Sequence, residues 1–329
     1  MDQRQRTKRF GLCVILFALV FRLAVEGIPR KMLAWLIQLD TAPIHTYSET
    51  GRNVRFSASE AVFWDHVRES PPPWLPEAQR PRFSAEDAEL VEVFYACSKQ
   101  PDLQQLLESP LEWDLAGETP TVLILHTHTT ESYTPGEEPY IASSAYRTLE
   151  EDHNMLRIGD AVAEILEEKG IGVIHDRTLH DYPSYNGSYV HARQAISGYL
   201  AKNPSIQLVL DLHRDASGTA SHQLRTEAVV DSSTSAQLML VMGTNYDTWE
   251  ENLALALKLH VQLERQFPGI MRPLSLRGQR FNQDLCRGAL LVEVGAAGNT
   301  RQEALTAARV LAEGIAELAK GADTGNRQG

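Results

Sequence analysis

The chain has 329 residues, 43% of them hydrophobic, with 21 Gly and 16 Pro, a globular composition long enough for one good-sized domain with appendages. Its formal charge of -12 excludes nucleic acid as the main partner, because phosphate recognition rests on a Lys/Arg excess that is missing here. The cysteines, Cys13, Cys97 and Cys286, form no CxxC pair, which argues against a thiolate zinc site and leaves open whether Cys97 and Cys286 meet.

In chain order, the cations Arg4, Arg6, Lys8 and Arg9 precede an apolar run over residues 10–21, followed by Arg22 and then Leu23-Ala24-Val25. This is the order of a signal anchor. A span needs ~20 apolar residues, so Arg22 has to snorkel to the interface. Residues 1–25 are therefore expected to be an uncleaved single-pass anchor in the cell membrane. The cations stay inside, and the rest of the chain lies outside the cytoplasm. Residues 26–119 read as a stalk and helical linker, with the breaker cluster Pro71-Pro72-Pro73, Pro76 and Pro81 holding it extended. Within it, Ser84-Ala85-Glu86-Asp87 looks like a helix start, and Leu90, Val91, Val93 and Phe94 follow at roughly helical spacing.

Beyond Pro120 short apolar runs alternate with longer amphipathic ones. Strands are predicted at 122–125, 172–175, 208–212, 237–242 and 289–294, and helices at 154–169, 189–202, 249–266 and 301–320. Strand and helix taking turns implies an α/β domain over 120–322, a mostly parallel twisted sheet with helices on both faces, and a polar tail at 323–329. In such sheets the chemistry gathers past the carboxyl ends of the strands.

Polar residues cluster at those ends. Val122-Leu123-Ile124-Leu125 runs into His126-Thr127-His128-Thr129-Thr130-Glu131, and Leu208-Val209-Leu210 into Asp211-Leu212-His213-Arg214-Asp215. The last strand, Leu290-Leu291-Val292-Glu293-Val294-Gly295, carries one carboxylate in an apolar run, which is costly unless it is paired or set near a metal. A lone His at a strand end is more often a surface or hydrogen-bonded residue than a ligand, and Glu293 alone could pair with an Arg such as Arg214. Histidines at two strand ends together with carboxylates are what an N/O zinc site requires. His213-Arg214-Asp215 also has the form of a kinase catalytic loop, but no glycine-rich phosphate loop and no Asp-Phe-Gly accompany it.

Six blocks occur in a fixed order: residues 126–133 (HTHTTESY), 154–160 (NMLRIGD), 170–176 (GIGVIHD), 211–216 (DLHRDA), 281–284 (FNQD) and 291–295 (LVEVG). Together they resemble the stage II sporulation protein P family over Pro120 to Ala319. The resemblance implies an amidase-type α/β fold with one zinc ion. It also implies hydrolysis of peptidoglycan between the lactyl group of N-acetylmuramic acid and L-alanine, in the septal wall remodelling of engulfment during sporulation. A second, endopeptidase activity on stem peptides is attributed to the family, and a catalytically silent wall-binding scaffold is the non-enzyme alternative. A lytic transglycosylase and a membrane scaffold of the engulfment machinery are the partners it suggests. Carried over by position, it makes His213 a zinc ligand, His126 or His128 a second and Glu150 or Glu151 a third, with Glu293 as general base. Arg214 would bind a substrate carboxylate or orient Glu293. His126 is preferred over His128 because it ends the apolar run directly, and in an extended segment the two would point the same way.

Overall fold

The computed structural model describes residues 81–111, 113–135, 146–219 and 222–319, all within the unit Leu75–Gly329. The expected anchor and most of the stalk lie outside the described residues, as does the polar tail. Among the described residues no helix is long and apolar enough to cross a membrane.

Eleven strands and five α-helices alternate along the described chain. They are β1 (Val93–Ala96), α1 (Leu103–Glu108), β2 (Gly117–Leu125), α2 (Met155–Glu168), β3 (Ile171–His175), α3 (Ser188–Lys202), β4 (Leu208–Asp215), β5 (Gly218–Thr219), β6 (His222–Gln223), β7 (Ala228–Val230), β8 (Ser233–Ser235), β9 (Leu238–Gly243), α4 (Trp249–Gln266), β10 (Leu274–Arg277), β11 (Ala289–Ala296) and α5 (Arg301–Ala319). The strands β5–β6 and β7–β8 form two small hairpins, and the other seven make one sheet in the order β1-β10-β9-β11-β4-β2-β3. All its neighbours run parallel except β9 and β11, which are antiparallel. The fold is mixed α/β with a mostly parallel central sheet.

Two strands of the seven-stranded sheet, β1 and β10, and all four hairpin strands are absent from the sequence reading. The segment expected as a helix from Ser84 is a short 3-10 turn, Ala85–Leu90, followed by β1, which pairs with β10. Val91, Val93 and Phe94 fit a helix by spacing, but pairing with a distant strand overrides so short a local pattern. The sheet therefore starts within the segment read as linker, ahead of Pro120. The strand β10 spans four residues between Pro273 and Gly278, too short a run to stand out.

Alternation along the strands divides the core. On one face Leu123, Leu125, Val209 and Ala289 pack beneath Ala192 and Ile196 of α3. The other face carries Val122, Ile124, Leu210 and Leu212, all fully buried, on the side of α2, which packs with α5 as α5 does with α4. A parallel sheet covered on both faces is why these strands are almost unbroken apolar runs.

The strand β11 ends in a bulge. Glu293 pairs with His213 but Ala296 pairs with Asp215, so β11 holds one more residue than β4 over the same span. Gly295 takes it up at φ 72°, and a Cβ there would stand 2.7 Å from Ala236 Cβ. Gly295→Ala is therefore expected to destabilise the chain by about 2 kcal/mol or more, from left-handed backbone strain and overpacking together. Urea unfolding of the two proteins measures it; equal midpoints would mean that the bulge relaxes freely.

Candidate functional site

The strands β11, β4 and β2 are adjacent and parallel, so their carboxyl ends lie side by side. By alternation Asp211 and His213 of β4 and Leu291 and Glu293 of β11 share the α3 face, with Glu293 opposite His213 and Leu291 opposite Asp211. After β2, residues 127–130 form a turn. His126 continues the Val122, Ile124 series on the α2 face, whereas His128, beyond the bend, arrives on the α3 face. The extended geometry that would point both the same way is not adopted.

His126 is fully buried. Its Nδ1 lies 3.0 Å from the Leu212 carbonyl and its Nε2 2.9 Å from His175 Nε2. A carbonyl only accepts, so Nδ1 carries the hydrogen and Nε2 accepts from His175. His175 Nδ1 in turn reaches Asp160 at 3.0 Å, and Arg177 also binds Asp160. The helix α2 approaches this closely because residue 159 is glycine: a Cβ there would stand 2.6 Å from His126 Nε2 and closer still to His175. Burial, followed by the His175 charge, lowers the His126 pKa to about 3. Both its ring nitrogens are thus engaged on the α2 side, away from His213.

On the α3 face the picture is the reverse. The His128 and His213 rings meet edge to face at 5.3 Å. His128 Nε2 lies 3.1 Å from the Tyr185 hydroxyl, and Tyr185 stacks on its ring, while Nδ1 is buried with no hydrogen-bond partner. Burial lowers the His128 pKa to about 4. His213 Nε2 stands 3.0 Å from Asp211 Oδ1, an ion pair not aligned as a hydrogen bond. Burial alone would lower the His213 pKa, yet Asp211, Glu131 and Glu293 outweigh it and raise the group to about 9. Glu293 Oε2 is the third buried atom here without a hydrogen-bond partner.

Asp211 holds the turn in place, accepting from the Thr127 amide at 2.8 Å and the Thr127 hydroxyl at 2.6 Å. Glu131, 3% exposed, lies 3.7 Å from His213 Nδ1 and accepts from the Arg214 amide at 3.3 Å. Arg214 is buried and donates to the carbonyls of Ser132 and Tyr146, so it clamps the segment behind the site. Glu150 and Glu151 are exposed at the start of a 3-10 turn, Glu151–His153, and Glu151 pairs with Arg177. The structure thus brings together His128, His213, Glu293 and Glu131, while His126 sits in the network on the α2 side and Glu150 and Glu151 on an exposed 3-10 turn. Among the described residues, no group of three or more His, Cys, Asp and Glu side chains is drawn into metal-binding geometry.

Three aromatic residues line this site without a role in the sequence reading. Tyr189 stacks over His213 at 6.5 Å and meets His128 edge-on at 5.6 Å. Phe281 is 6.0 Å from Tyr189 and packs on Met239, Val241 and Leu291, an apolar wall beside Glu293. Tyr185 is 54% exposed and lies under the Arg147 guanidinium. Phe281 falls in a quoted block and Tyr189 opens a predicted helix, but neither position signals a site until the fold closes. Cys97 and Cys286 are both free and half-buried.

Comparisons with known proteins agree with the six blocks. The sequence-family model described as Stage II sporulation protein P matches residues 75–316. The Stage II sporulation protein P of Bacillus subtilis (strain 168) is 31% identical over 219 residues, covering 61% of this chain and 52% of that protein. The chain thus spans about half the length of this relative. Among solved structures, the N-acetylmuramoyl-L-alanine amidase AmiC2 of Nostoc punctiforme is similar at TM-score 0.34 and 18% identity, covering 62% of this chain and 96% of that one. The CwlD amidase from Clostridioides difficile, in complex with the GerS lipoprotein, is similar at TM-score 0.37 and 13% identity, covering 60% and 94%.

Glu293 offers a measurable signature. Burial raises its pKa to about 8, with repulsion from Glu131 and Asp215 adding to it and His213 and Arg214 opposing it. The unfolded carboxyl ionises near pH 4.5, so the folded chain loses stability as pH rises from there to about 8. Glu293→Gln removes that loss. Its Tm advantage in the metal-free chain should be small at pH 4, grow up to about pH 8 and then level off. Thermal melts in EDTA across that range test it; an advantage independent of pH would mean that Glu293 is ionised in the fold.

Proposed function

Given that the chain belongs to the stage II sporulation protein P family, we propose that it is a zinc-dependent peptidoglycan amidase, cleaving the bond between the muramyl lactyl group and L-alanine. The observation that carries the reading is the convergence on one face of three buried polar atoms without hydrogen-bond partners: His128 Nδ1, His213 Nε2 and Glu293 Oε2. Buried polar atoms are rarely left unsatisfied outside sites that use them. Two imidazoles and neighbouring carboxylates are the donor set that zinc takes.

Under this reading His128 and His213 hold the metal, with Glu131 the nearest additional carboxylate. His126 is less suited, since both its nitrogens are already hydrogen-bonded. Exposed Glu150 and Glu151 are less suited than buried Glu131. When bound, zinc supplies the Lewis acidity that lowers the pKa of a water towards ~7 and polarises the scissile carbonyl. Glu293 takes the proton of the attacking water and returns it to the leaving nitrogen. A cation beside Glu293 would also favour its ionised form, as the role of base requires. The apolar wall of Met239, Val241, Leu291 and Phe281 excludes water from one side of the reacting group.

Two experiments test this. Mass spectrometry of material released from purified cell walls should show free peptides beginning with L-alanine and peptide-free glycan. Release of disaccharide-peptides with opened cross-links would instead make the chain an endopeptidase. In metal analysis, His128→Ala and His213→Ala should each lose stoichiometric zinc while His126→Ala keeps it; zinc kept in His128→Ala and lost in His126→Ala would return the ligand role to His126.

A further inference from the structure

We propose that Tyr189 is a catalytic residue, its hydroxyl donating a hydrogen bond to the oxygen of the scissile carbonyl as that oxygen gains charge. The inference rests on the amidase reading above. Tyr189 lies in the first turn of α3, and its ring packs against both imidazoles of the site, at 6.5 Å from His213 and 5.6 Å from His128. Its backbone is fixed by Asn282, whose Nδ2 donates to the Tyr189 carbonyl at 2.8 Å. Phe281 packs beside it at 6.0 Å. The ring is therefore held on three sides. Its hydroxyl makes no hydrogen bond with any described residue, and the residue is only half-buried.

Attack on an amide carbonyl builds negative charge on oxygen, and a positioned donor is worth roughly 10²–10³ in kcat. The other polar side chains around this site are unsuited to that task. Glu131, Asp211 and Glu293 are carboxylates and, when ionised, only accept. The Tyr185 hydroxyl is paired with His128 Nε2 at 3.1 Å, and Tyr185 is 54% exposed rather than fixed between the imidazoles. Arg214 is buried and donates to the Ser132 and Tyr146 carbonyls, and Arg147 is engaged by Asp181 and Glu131. A phenol, with an ordinary pKa of about 10, carries its proton at neutral pH.

The step balances as a hydrolysis. The water oxygen forms a bond to the carbonyl carbon while Glu293 takes the water's proton, and the carbonyl π pair moves onto oxygen, which accepts the hydrogen bond of Tyr189. On collapse the carbon–nitrogen bond breaks and the nitrogen leaves with that electron pair and the proton from Glu293. Tyr189 keeps its own proton throughout.

The test is Tyr189→Phe, which retains the ring and its packing and removes only the hydroxyl. With purified cell wall as substrate and release of new amino termini as the signal, kcat should fall about 10²-fold while KM stays within about twofold, at unchanged zinc content and Tm. As a readout apart from turnover, a muramyl-peptide phosphinate with tetrahedral phosphorus in place of the scissile carbonyl should bind the variant about 10²-fold more weakly. An active parent and a variant within about threefold of it in kcat would overturn the role of Tyr189 alone. So would a loss expressed wholly in KM. A parent that releases no amino termini would overturn the amidase reading together with the inference.

Discussion

The site depends on a carboxylate that has almost no contact with water. Asp211 is buried between two strand ends and accepts from the amide and hydroxyl of Thr127 while standing beside His213. Burial raises the pKa of such a group, but the His213 charge and the Thr127 bonds reverse that and hold it low. Each hydrogen bond to a buried charge contributes on the order of 1.5–3 kcal/mol. Those bonds fasten the turn after β2 to β4, and so set where His128 stands relative to His213. Thr129, bonded to the His126 and Thr178 carbonyls, and Thr130, bonded to Asp181, hold the rest of the turn.

The same turn serves two histidine systems with opposite chemistry. On the α2 side His126, His175, Asp160 and Arg177 form a closed chain in which both His126 nitrogens are used. Full satisfaction makes a polar network rigid, which suits a support. On the α3 side His128, His213 and Glu293 keep orphaned atoms. A fold tolerates that arrangement where the missing partner is supplied by function. The high pKa of Glu293 follows from burial, with repulsion from Glu131 and Asp215 added, and that of His213 from the attraction of Asp211, Glu131 and Glu293 outweighing its burial.

Opposite the strand ends, the wall of the groove is held by backbone that few side chains adopt. Phe281 and Asn282 both have positive φ, 52° and 56°, which for a bulky residue such as Phe is an outlier. The strain is overcome by a set of bonds: Asn282 to the Tyr189 carbonyl, Gln283 to the Val241 carbonyl and the Gly243 amide, and Asp284 to both terminal nitrogens of Arg193 at 2.8 and 2.7 Å. Together they lock the 281–284 segment to both α3 and β9. The result is an aromatic wall formed by Phe281 and Tyr189, set at a fixed distance from the imidazoles.

What the sequence determined by itself was whatever is encoded within a window of about 20 residues. The apolar runs and helical periodicities placed five strands and four helices to within a few residues, except that β2 begins at Gly117 and β4 reaches Asp215. The rule that chemistry sits at carboxyl ends singled out 126–131, 211–215 and Glu293. The six blocks carried the family resemblance. Tertiary structure alone decided the rest. Four-residue strands such as β1 and β10 exist because of distant pairing: β1 pairs with β10, about 180 residues away in sequence, and β10 also with β9. The antiparallel junction of β9 and β11 has no local signature. Most of all, His126 and His128 are two residues apart and chemically identical, yet one lies under α2 and the other under α3. That difference comes from a bend held in part by Asp211, 84 positions away from Thr127, and hydrogen bonds of that kind leave no periodic mark on a chain.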